Sequence, residues 1–325
     1  MRSTPDIGVL KHAIQLACRA PSVHNSQPWL WVAEAGSLRL LVNPHRMVPG
    51  TDNSSREAII SCGAVLDHLR VAMLAAGWRS NVKRFPIRSD PNVLASVEFF
   101  RVEHVTDAER ERAGAILQRR TDRLPLGQPT YWELFEPRLR GVIDSAVVKL
   151  QVLPDDARPR LAEATRLTEE FRRDDWLYHA ELDWWTSPFM LDDGLPATAL
   201  TSDNEQHRVG VGREFPTRIH ANRRREVELD WSKILALSTA HDNRIDWLRC
   251  GEVLSAILLE CTLAGIATCT LTHLTEVNES REILRGLIGA DLHPQVLVRA
   301  GIAPLLENVG APTPRRPLHD VLHVR

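Results

Sequence analysis

The chain has 325 residues, of which 43% are hydrophobic and 25% are charged, and its formal net charge is −2 at pH 7. Such a composition is typical of a globular protein that buries a substantial core. The small net charge gives no sign of nucleic acid or an anionic membrane surface as a partner.

The hydrophobic pattern predicts alternating helices and strands in the first third of the chain. They are a helix over 7–18, two strands around a turn within 30–44, a helix over 55–77, a strand over 96–102 and a helix near 107–118. The helix over 55–77 is expected to begin at an N-cap formed by Asp52, Asn53 or Ser54.

An internal repeat relates the second of these helices, over 55–77, to a later one. Residues 51–77 overlay residues 239–265 without a gap and share 8 identities in 27 positions, where chance would give about one or two. A strand-like run follows each copy, at 96–102 and at 294–301. The repeat predicts a duplicated helix and therefore a duplicated domain.

The offset between the copies changes along the chain, which predicts an insertion. The unit at 10–34 overlays 134–153 at an offset near 120 instead of 188, so about 70 extra residues lie between about 155 and 235. Three tryptophans within 174–200 argue against disorder in this insertion. Long insertions in compact domains are usually lids or binding loops, although these aromatics could also pack on the core.

Several kinds of site and location are not expected from the sequence. Lys11 and His12 interrupt the apolar start of the chain, so no signal peptide is predicted, and no stretch approaches the roughly 20 apolar residues of a membrane helix. The five cysteines are expected to be free buried thiols in a reducing cytoplasm. The histidines show no metal-binding arrangement, and "NRRRE" is read as a solvated face and not as a nucleic-acid site.

The loop between the first helix and the first strand reads "APSVHNSQPW" (20–29). It resembles the "APSxxNxQPW" element of the FMN-dependent nitroreductase superfamily, in which Ser, Asn and backbone groups contact the isoalloxazine ring across a dimer interface. The resemblance implies that these residues bind flavin: Pro21, Ser22, Val23, His24, Asn25 and Gln27. The alternative is an ordinary helix cap and turn.

Two basic motifs resemble the phosphate-binding elements of the same superfamily. "QRRTDRLP" (118–125) is similar to the "RRSxR" signature, which implies that Arg119, Thr121 and Arg123 hold the flavin phosphate and ribityl chain. "GAPTPRRPLHDVL" (310–322) is similar to the end of nitroreductase chains, which makes Arg315 and Arg316 further phosphate ligands. A phosphate dianion favours the charge-assisted donors that Arg supplies. The alternatives are a solvated basic helix end and a basic tail.

A fourth element, "GIATCTLTHLTE" (265–276), follows the second copy of the repeated helix. In nitroreductases the corresponding strand carries main-chain groups and a polar side chain to N5 and the carbonyl edge of the flavin. The resemblance therefore assigns this role to four residues: Thr270, Leu271, Thr272 and His273. Ordinary polar residues at the end of a strand remain the alternative for Thr272 and His273.

Taken together, the motifs are most similar to the Acg family of mycobacterial nitroreductase-like proteins. The resemblance implies an α+β, nitroreductase-like fold in which two fused copies form a pseudo-dimer, with halves at 1–108 and 109–325 and a lid-like insertion at about 160–235. The segment of the second half that corresponds to the flavin loop reads "DSAVVKLQVL" and is apolar. In the first half, no "RRSxR" element precedes the flavin loop. One FMN per chain is therefore expected, in a monomer that needs no partner subunit.

The implied function is that of an FMN-binding, NAD(P)H-dependent oxidoreductase acting on nitroaromatic or quinone-like acceptors in the cytoplasm. The flavin carries such chemistry, so no catalytic side chain is predicted. The alternative is an FMN storage or sequestration protein without turnover, whose flavin is covered by the insertion. Residues 174–200 are expected to cap the isoalloxazine ring, because their aromatic side chains need an apolar surface to cover.

Overall fold

The computed structural model describes residues 4–34, 36–187, 192–216, 222–304 and 312–325, which form an α+β protein with two sheets. The α-helices in these ranges are α1 (Ile7–Ala17), α2 (Arg56–Ala75), α3 (Asp107–Gln118), α4 (Trp132–Gly141), α5 (Arg158–Arg172), α6 (Trp176–Trp185), α7 (Asp203–Val209), α8 (Arg244–Leu263), α9 (Asn278–Ile288) and α10 (Leu318–Val321). The strands are β1 (Trp29–Glu34), β2 (Ser37–Val42), β3 (Trp78–Arg84), β4 (Val93–Arg101), β5 (Lys149–Leu153), β6 (Lys233–Thr239), β7 (Ala267–Leu271), β8 (His293–Gly301) and β9 (Leu322–Val324).

The two sheets have the same strand order when their elements are matched in sequence. One runs β3-β4-β2-β1 and the other β7-β8-β6-β5, and every neighbouring pair in both series is antiparallel. Each sheet also has one register shift, between Leu40 and Leu41 in β2 and between Leu237 and Ser238 in β6. The first sheet has an additional strand, because β9 lies parallel to β1 with Trp31 opposite Leu322.

Helices α2 and α8 pack against each other between the sheets and are buried over most of their length. Among the described helices, α2 is long and apolar enough to cross a membrane, although no such stretch was expected from the sequence. However, 78% of that stretch is buried inside the protein, so α2 is a core helix.

The start of α2 differs from the expected cap. The N-cap residue is Ser55, whose backbone is left-handed with a φ of 64° and whose side chain makes no capping hydrogen bond. Asp52 nevertheless bonds to the first turn, because its Oδ2 accepts a hydrogen bond of 2.9 Å from the backbone N–H of Ala58. The carboxylate of an expected capping residue therefore holds the first turn from six residues away.

The sheets differ in the connection between their first two strands. Two residues separate β1 from β2, whereas residues 154–232, which include α5, α6 and α7, separate β5 from β6. This longer connection lies where the offset between the repeated segments changes. It reaches the loop that follows α1, where the carbonyl oxygens of Gly194 and Asp192 accept hydrogen bonds from Asn25 and Gln27.

Candidate functional site

A cavity of about 890 Å³, part of it open to solvent, lies between the loop after α1 and the strand β7. Most of the residues predicted from the sequence line it: Pro21, Ser22, Val23, His24, Thr121, Arg123, Thr270, Leu271, Thr272 and His273. The other predicted residues do not form part of its wall, and they are Asn25, Gln27, Arg119, Arg315 and Arg316. Three of the four motifs therefore meet at this cavity, and the C-terminal motif contributes no residue to its described wall.

The loop after α1 has an unusual backbone. His24, Asn25 and Gln27 have φ angles of 48°, 58° and 51°, which place three residues other than glycine in the left-handed region within four positions. Each such residue costs on the order of 1–3 kcal/mol, and strain of this kind concentrates at functional sites. The surrounding contacts must therefore hold the loop in place.

Asn25 and Gln27 supply these contacts, which explains why they do not face the cavity. The Nδ2 of Asn25 donates to the carbonyl oxygens of Gly194 and Pro314, at 2.9 and 3.2 Å. The Oε1 of Gln27 accepts a hydrogen bond of 2.9 Å from the backbone N–H of Arg316. The two amides thus join the loop to the insertion and to the C-terminal segment.

Two buried histidines line the cavity in their neutral form. The Nε2 of His24 lies 3.0 Å from Oγ1 of Thr51, and the Nε2 of His273 lies 3.2 Å from Oγ1 of Thr165. Burial, and then the nearby guanidinium of Arg213, lower the pKa of both histidines well below the usual value. The Nδ1 of His273 is buried and has no hydrogen-bond partner in the described part of the chain.

Three arginines line the cavity, and they differ in their partners. Arg299 donates to Oδ1 of Asp230 at 2.8 Å, and Arg213 forms an ion pair with Glu276. Arg123 has no carboxylate within ion-pair distance among the residues that the structure describes. Two weaker contacts hold it.

The Nη1 of Arg123 donates to the carbonyl oxygen of Ala199 at 3.3 Å, and its guanidinium lies 5.3 Å from the ring centre of Phe215. Burial lowers the pKa of Arg123. The cation is thus partly desolvated without a matching negative charge, which is the environment that an anionic ligand would stabilise.

Arg19, Arg119 and Arg315 form a cationic cluster next to the cavity, at the C-terminal end of α1. Arg315 donates from Nε to the carbonyl oxygen of Cys18 at 2.8 Å, and Nη2 of both Arg119 and Arg315 donates to that of Arg19, at 3.2 and 3.1 Å. The unpaired carbonyls of a helix end attract cations. Even so, burial and then the neighbouring guanidiniums lower the pKa of Arg119 to about 10 and that of Arg315 to about 9.

The sequence-based interpretation missed several residues of the wall: Glu57, Ser61, Gln206, Arg213, Phe215 and Arg299. Two of them carry a signal that could have been used. Glu57 lies in the first turn of a helix rich in apolar residues, and Arg299 lies inside an apolar central strand. An ionisable side chain in such a place needs a partner or a function. Nothing in the local sequence distinguishes Arg213 or Phe215.

The part of the insertion that reaches the cavity is not the part that was expected. Residues between 201 and 215 line the wall, and none of the described residues in 174–200 does. Trp176 and Trp184 are 77% and 63% exposed, while Trp185 is buried with the guanidinium of Arg46 lying 5.1 Å from its ring centre. Phe189 and Met190 lie outside the described residues. The described residues of 174–200 therefore do not line the cavity as expected for a cap on the flavin ring.

Arg213 ties the insertion to the rest of the site. Besides its ion pair with Glu276, it donates to Oγ1 of Thr272 at 3.2 Å and to the hydroxyl of Tyr178 at 3.0 Å. Tyr178 lies on α6, so this one guanidinium joins two parts of the insertion to the end of β7. Opening the insertion would require breaking a buried ion pair.

All five cysteines are free and buried, as predicted. Within the described ranges, no group of three or more His, Cys, Asp or Glu side chains is placed to hold a metal ion.

The chain is similar over nearly its full length to proteins of Mycobacterium tuberculosis. It is 61% identical over 321 residues to an uncharacterized protein, and the aligned region covers 98% of this chain and 93% of that protein. It is 52% identical over 317 residues to "Putative NAD(P)H nitroreductase acg", covering 98% and 96%. A further putative NAD(P)H nitroreductase is 33% identical over 335 residues, covering 98% and 92%.

Solved structures resemble the chain more distantly. The FMN-dependent nitroreductase NfnB of Mycobacterium smegmatis, in complex with NADPH, has a TM-score of 0.38 and 15% identity, covering 61% of this chain and 89% of that one. A nitroreductase of Desulfitobacterium hafniense with bound FMN has a TM-score of 0.39 and 13% identity, covering 65% and 95%. No protein-family model matches the chain.

Proposed function

The chain belongs to the Acg family of mycobacterial nitroreductase-like proteins, and we propose that it binds FMN and acts as an NAD(P)H-dependent oxidoreductase on nitroaromatic or quinone-like acceptors. The observation that carries this proposal is the meeting of three separate motifs on one cavity wall. Residues 21–24, Thr121 with Arg123, and residues 270–273 come from distant parts of the chain and all line the same space. Each of these motifs resembles a flavin-binding element.

The phosphate of FMN is assigned to the end of the cavity near Arg123. This guanidinium has no carboxylate partner in the described structure, and the hydroxyl of Thr121 lies on the same wall. Arg119 and Arg315 of the cationic cluster would add long-range attraction, and an anion beside them would offset their mutual repulsion. Charge-assisted hydrogen bonds of this kind contribute about 1.5–3 kcal/mol each.

The isoalloxazine ring is assigned to the part of the cavity lined by Glu57 and His273. Oε2 of Glu57 and Nδ1 of His273 are buried polar atoms without a partner among the described residues, so a ring with donors and acceptors at its edge fits there. Ile60 and Leu254 on the same wall offer apolar surface. Bound FMN would supply the electron transfer, and the side chains would bind it, orient it and limit access to it.

The same proposal includes the organisation of the chain into halves. We propose that 1–108 and 109–325 are fused copies that form a pseudo-dimer, with the insertion at about 160–235. The matching strand orders and the repeated helix support this division. Two sequence positions support one FMN per chain. At the offset of 188, Ile245 corresponds to Glu57 and Arg249 to Ser61, so the second copy lacks these two side chains of the cavity wall. A cytoplasmic monomer with a small-molecule cofactor is then sufficient.

A second candidate function is storage or sequestration of FMN without turnover. It is favoured by one observation: the insertion lines the cavity from 201 to 215 and is tied down by the buried ion pair of Arg213 with Glu276. A flavin under this segment would be shielded from a second ligand such as NAD(P)H. The two functions therefore differ in whether the insertion opens.

The decisive experiment measures flavin content and then flavin reduction. Purified protein should release about one FMN per chain. A ratio near zero would contradict the flavoprotein proposal, and a ratio near two would contradict the single site. Stopped-flow bleaching by NADH and NADPH at ordinary enzyme rates, on the order of 1–1000 per second, supports the oxidoreductase. Reduction by dithionite alone would support storage.

A further inference from the structure

Glu57 is an acid on the cavity wall that none of the flavin-binding motifs explains. It lies in the first turn of α2, is only 2% exposed and lines the cavity. Its Oε2 is buried without a hydrogen-bond partner in the described ranges. A buried carboxyl oxygen that bonds to nothing in the protein is available to a ligand.

The neighbouring arginine forms only a long ion pair with this carboxyl group. Nη2 of Arg56 lies 3.4 Å from Oε1 of Glu57, which is at the outer limit of a hydrogen bond. The same guanidinium makes shorter bonds elsewhere, to Oγ1 and the carbonyl oxygen of Thr275 at 2.8 and 2.9 Å and to the carbonyl oxygen of Gln295 at 3.0 Å. Arg56 is therefore committed mainly to the second half of the chain.

The charges that face Glu57 come from three other parts of the fold. Asp52 lies in the loop before α2, Glu276 follows β7, and Arg213 comes from the insertion. Burial, then Glu276 and Asp52, raise the pKa of Glu57 well above its usual value, against the opposing effect of Arg56 and Arg213. The cation of Arg213 is shared, because Glu276 is its ion-pair partner. The protonated acid is the favoured form in this setting.

We propose that Glu57 is a protonated carboxylic acid that donates a hydrogen bond from the cavity wall to an acceptor atom of the bound flavin ring, and that flavin affinity depends on this proton. The inference rests on the proposed function, because it places a flavin in the cavity. It makes Glu57 a positioning residue for the ring. A carboxylate at the same place could only accept hydrogen bonds, and would select an N–H group of the ring instead of an acceptor atom.

The proposal fixes the sign of the pH dependence. A hydrogen bond from the protonated acid to the ring raises the pKa of Glu57 further in the complex. Affinity is then fully present below the pKa of the free protein, and it falls by up to about tenfold per pH unit above that pKa. If Glu57 were ionised and accepted a bond from a ring N–H, affinity would instead rise with pH.

Riboflavin is the probe that isolates this effect, since it has the ring but lacks the titrating phosphate of FMN. Its dissociation constant should be measured by equilibrium dialysis between about pH 6 and pH 9 for the full-length wild type, Glu57→Gln and Asp52→Asn. The wild-type affinity should fall as pH rises. Glu57→Gln keeps a donor at all pH values, so its profile should be flat.

Asp52→Asn is the matched variant that leaves Glu57 in place. Its amide oxygen can still accept the hydrogen bond from Ala58, while the loss of the negative charge lowers the pKa of Glu57. The fall in riboflavin affinity should therefore begin at a lower pH than in the wild type. This shift would not arise if Glu57 only supported the fold.

The outcomes separate the inference from the proposed function. A wild-type profile that is flat or rises with pH overturns the inference, as does an equal pH dependence in wild type and Glu57→Gln, while flavin binding itself stands. If neither FMN nor riboflavin binds to the wild type at any pH, the proposed function and the inference fall together.

Discussion

Gly63 and Gly251 touch where α2 crosses α8, and they occupy matching positions in the internal repeat. A Cβ atom on Gly63 would lie 2.0 Å from the carbonyl oxygen of Leu248 and 2.8 Å from Cα of Gly251. A Cβ atom on Gly251 would lie 1.9 Å from the carbonyl oxygen of Ile60. Because the obstructing atoms are backbone atoms, neither helix can accept a side chain at the crossing without moving.

The first prediction follows from this contact. Gly63→Ala or Gly251→Ala should lower the free energy of unfolding by about 1–3 kcal/mol or more, because overpacking forces the helices apart. Gly114→Ala is the matched control, since nothing lies within 4 Å of its Cβ and it is inside α3. That change should be neutral or stabilising by up to about 1 kcal/mol. Urea denaturation of the three variants tests this, and equal midpoints would refute the crossing.

The second prediction concerns Arg123, which lines the cavity and has no ion pair with another described residue. Arg123→Ala should weaken FMN binding about tenfold or more, through the loss of a charge-assisted bond to the phosphate. Riboflavin affinity should change little, and the exposed Arg160→Ala should change neither. Fluorescence titration with both flavins measures this. An equal loss of FMN and riboflavin affinity would mean that Arg123 shapes the cavity instead of binding phosphate.

The third prediction concerns the tie between the insertion and the end of β7. Glu276→Gln removes the charge that faces the buried Arg213, and breaking such a pair costs about 3–5 kcal/mol. The insertion should open more often, and FMN should dissociate at least about tenfold faster. Glu279→Gln, at an exposed position on α9, is the control. Stopped-flow dilution of the flavin complex measures the rate, and an unchanged rate would show that the pair does not retain the flavin.

The fourth prediction concerns stability in acid. Nδ1 of His68 donates to Oγ of Ser255 at 2.8 Å, and this hydroxyl donates in turn to Asp67. Nε2 of His68 is buried without a partner among the described residues. Burial lowers the pKa of His68 well below its usual value. The unfolded chain therefore takes up this proton first, and stability is lost as pH falls below about 6.5.

His68→Gln should remove this contribution. Between about pH 6.5 and pH 5, the free energy of unfolding should fall less steeply than in the wild type, by about 1.4 kcal/mol per pH unit. Urea titrations across this range give the slope, and His12→Gln on the exposed face of α1 controls for the substitution itself. Parallel profiles for His68→Gln and the wild type would contradict the prediction.

Local patterns predicted several of the elements in the first third of the chain. The helix expected near 107–118 is α3, and the strand expected over 96–102 overlaps β4. Residues 21–24 were predicted because the loop that contains them resembles the "APSxxNxQPW" element of nitroreductases. The capping residue of α2 could not be predicted in this way. Asp52 accepts a hydrogen bond from Ala58, six residues later, although it does not occupy the N-cap position.

The rest of the wall depends on contacts between distant parts of the chain. The hydrogen-bond partners of Arg213 lie 35, 59 and 63 residues away in sequence, and no local pattern encodes them. Asn25 and Gln27 were correctly placed in the loop, but their amides bond to the insertion and the C-terminal segment. The tryptophans at 176 and 184 were expected to cover a ring and are instead largely exposed. Aromatic content alone does not show which surface a segment covers.

The position of β9 has a consequence for the order of events during synthesis. The first sheet is encoded by residues 29–101, yet the strand beside β1 is supplied by residues 322–324. The segment just before it carries Arg315, which bonds to the end of α1. The first sheet therefore keeps an open edge beside β1 until residues 322–324 have been translated. If translation stalls inside the insertion, the incomplete chain exposes β1 as an unpaired strand edge. Such an edge is a target for chaperones and proteases.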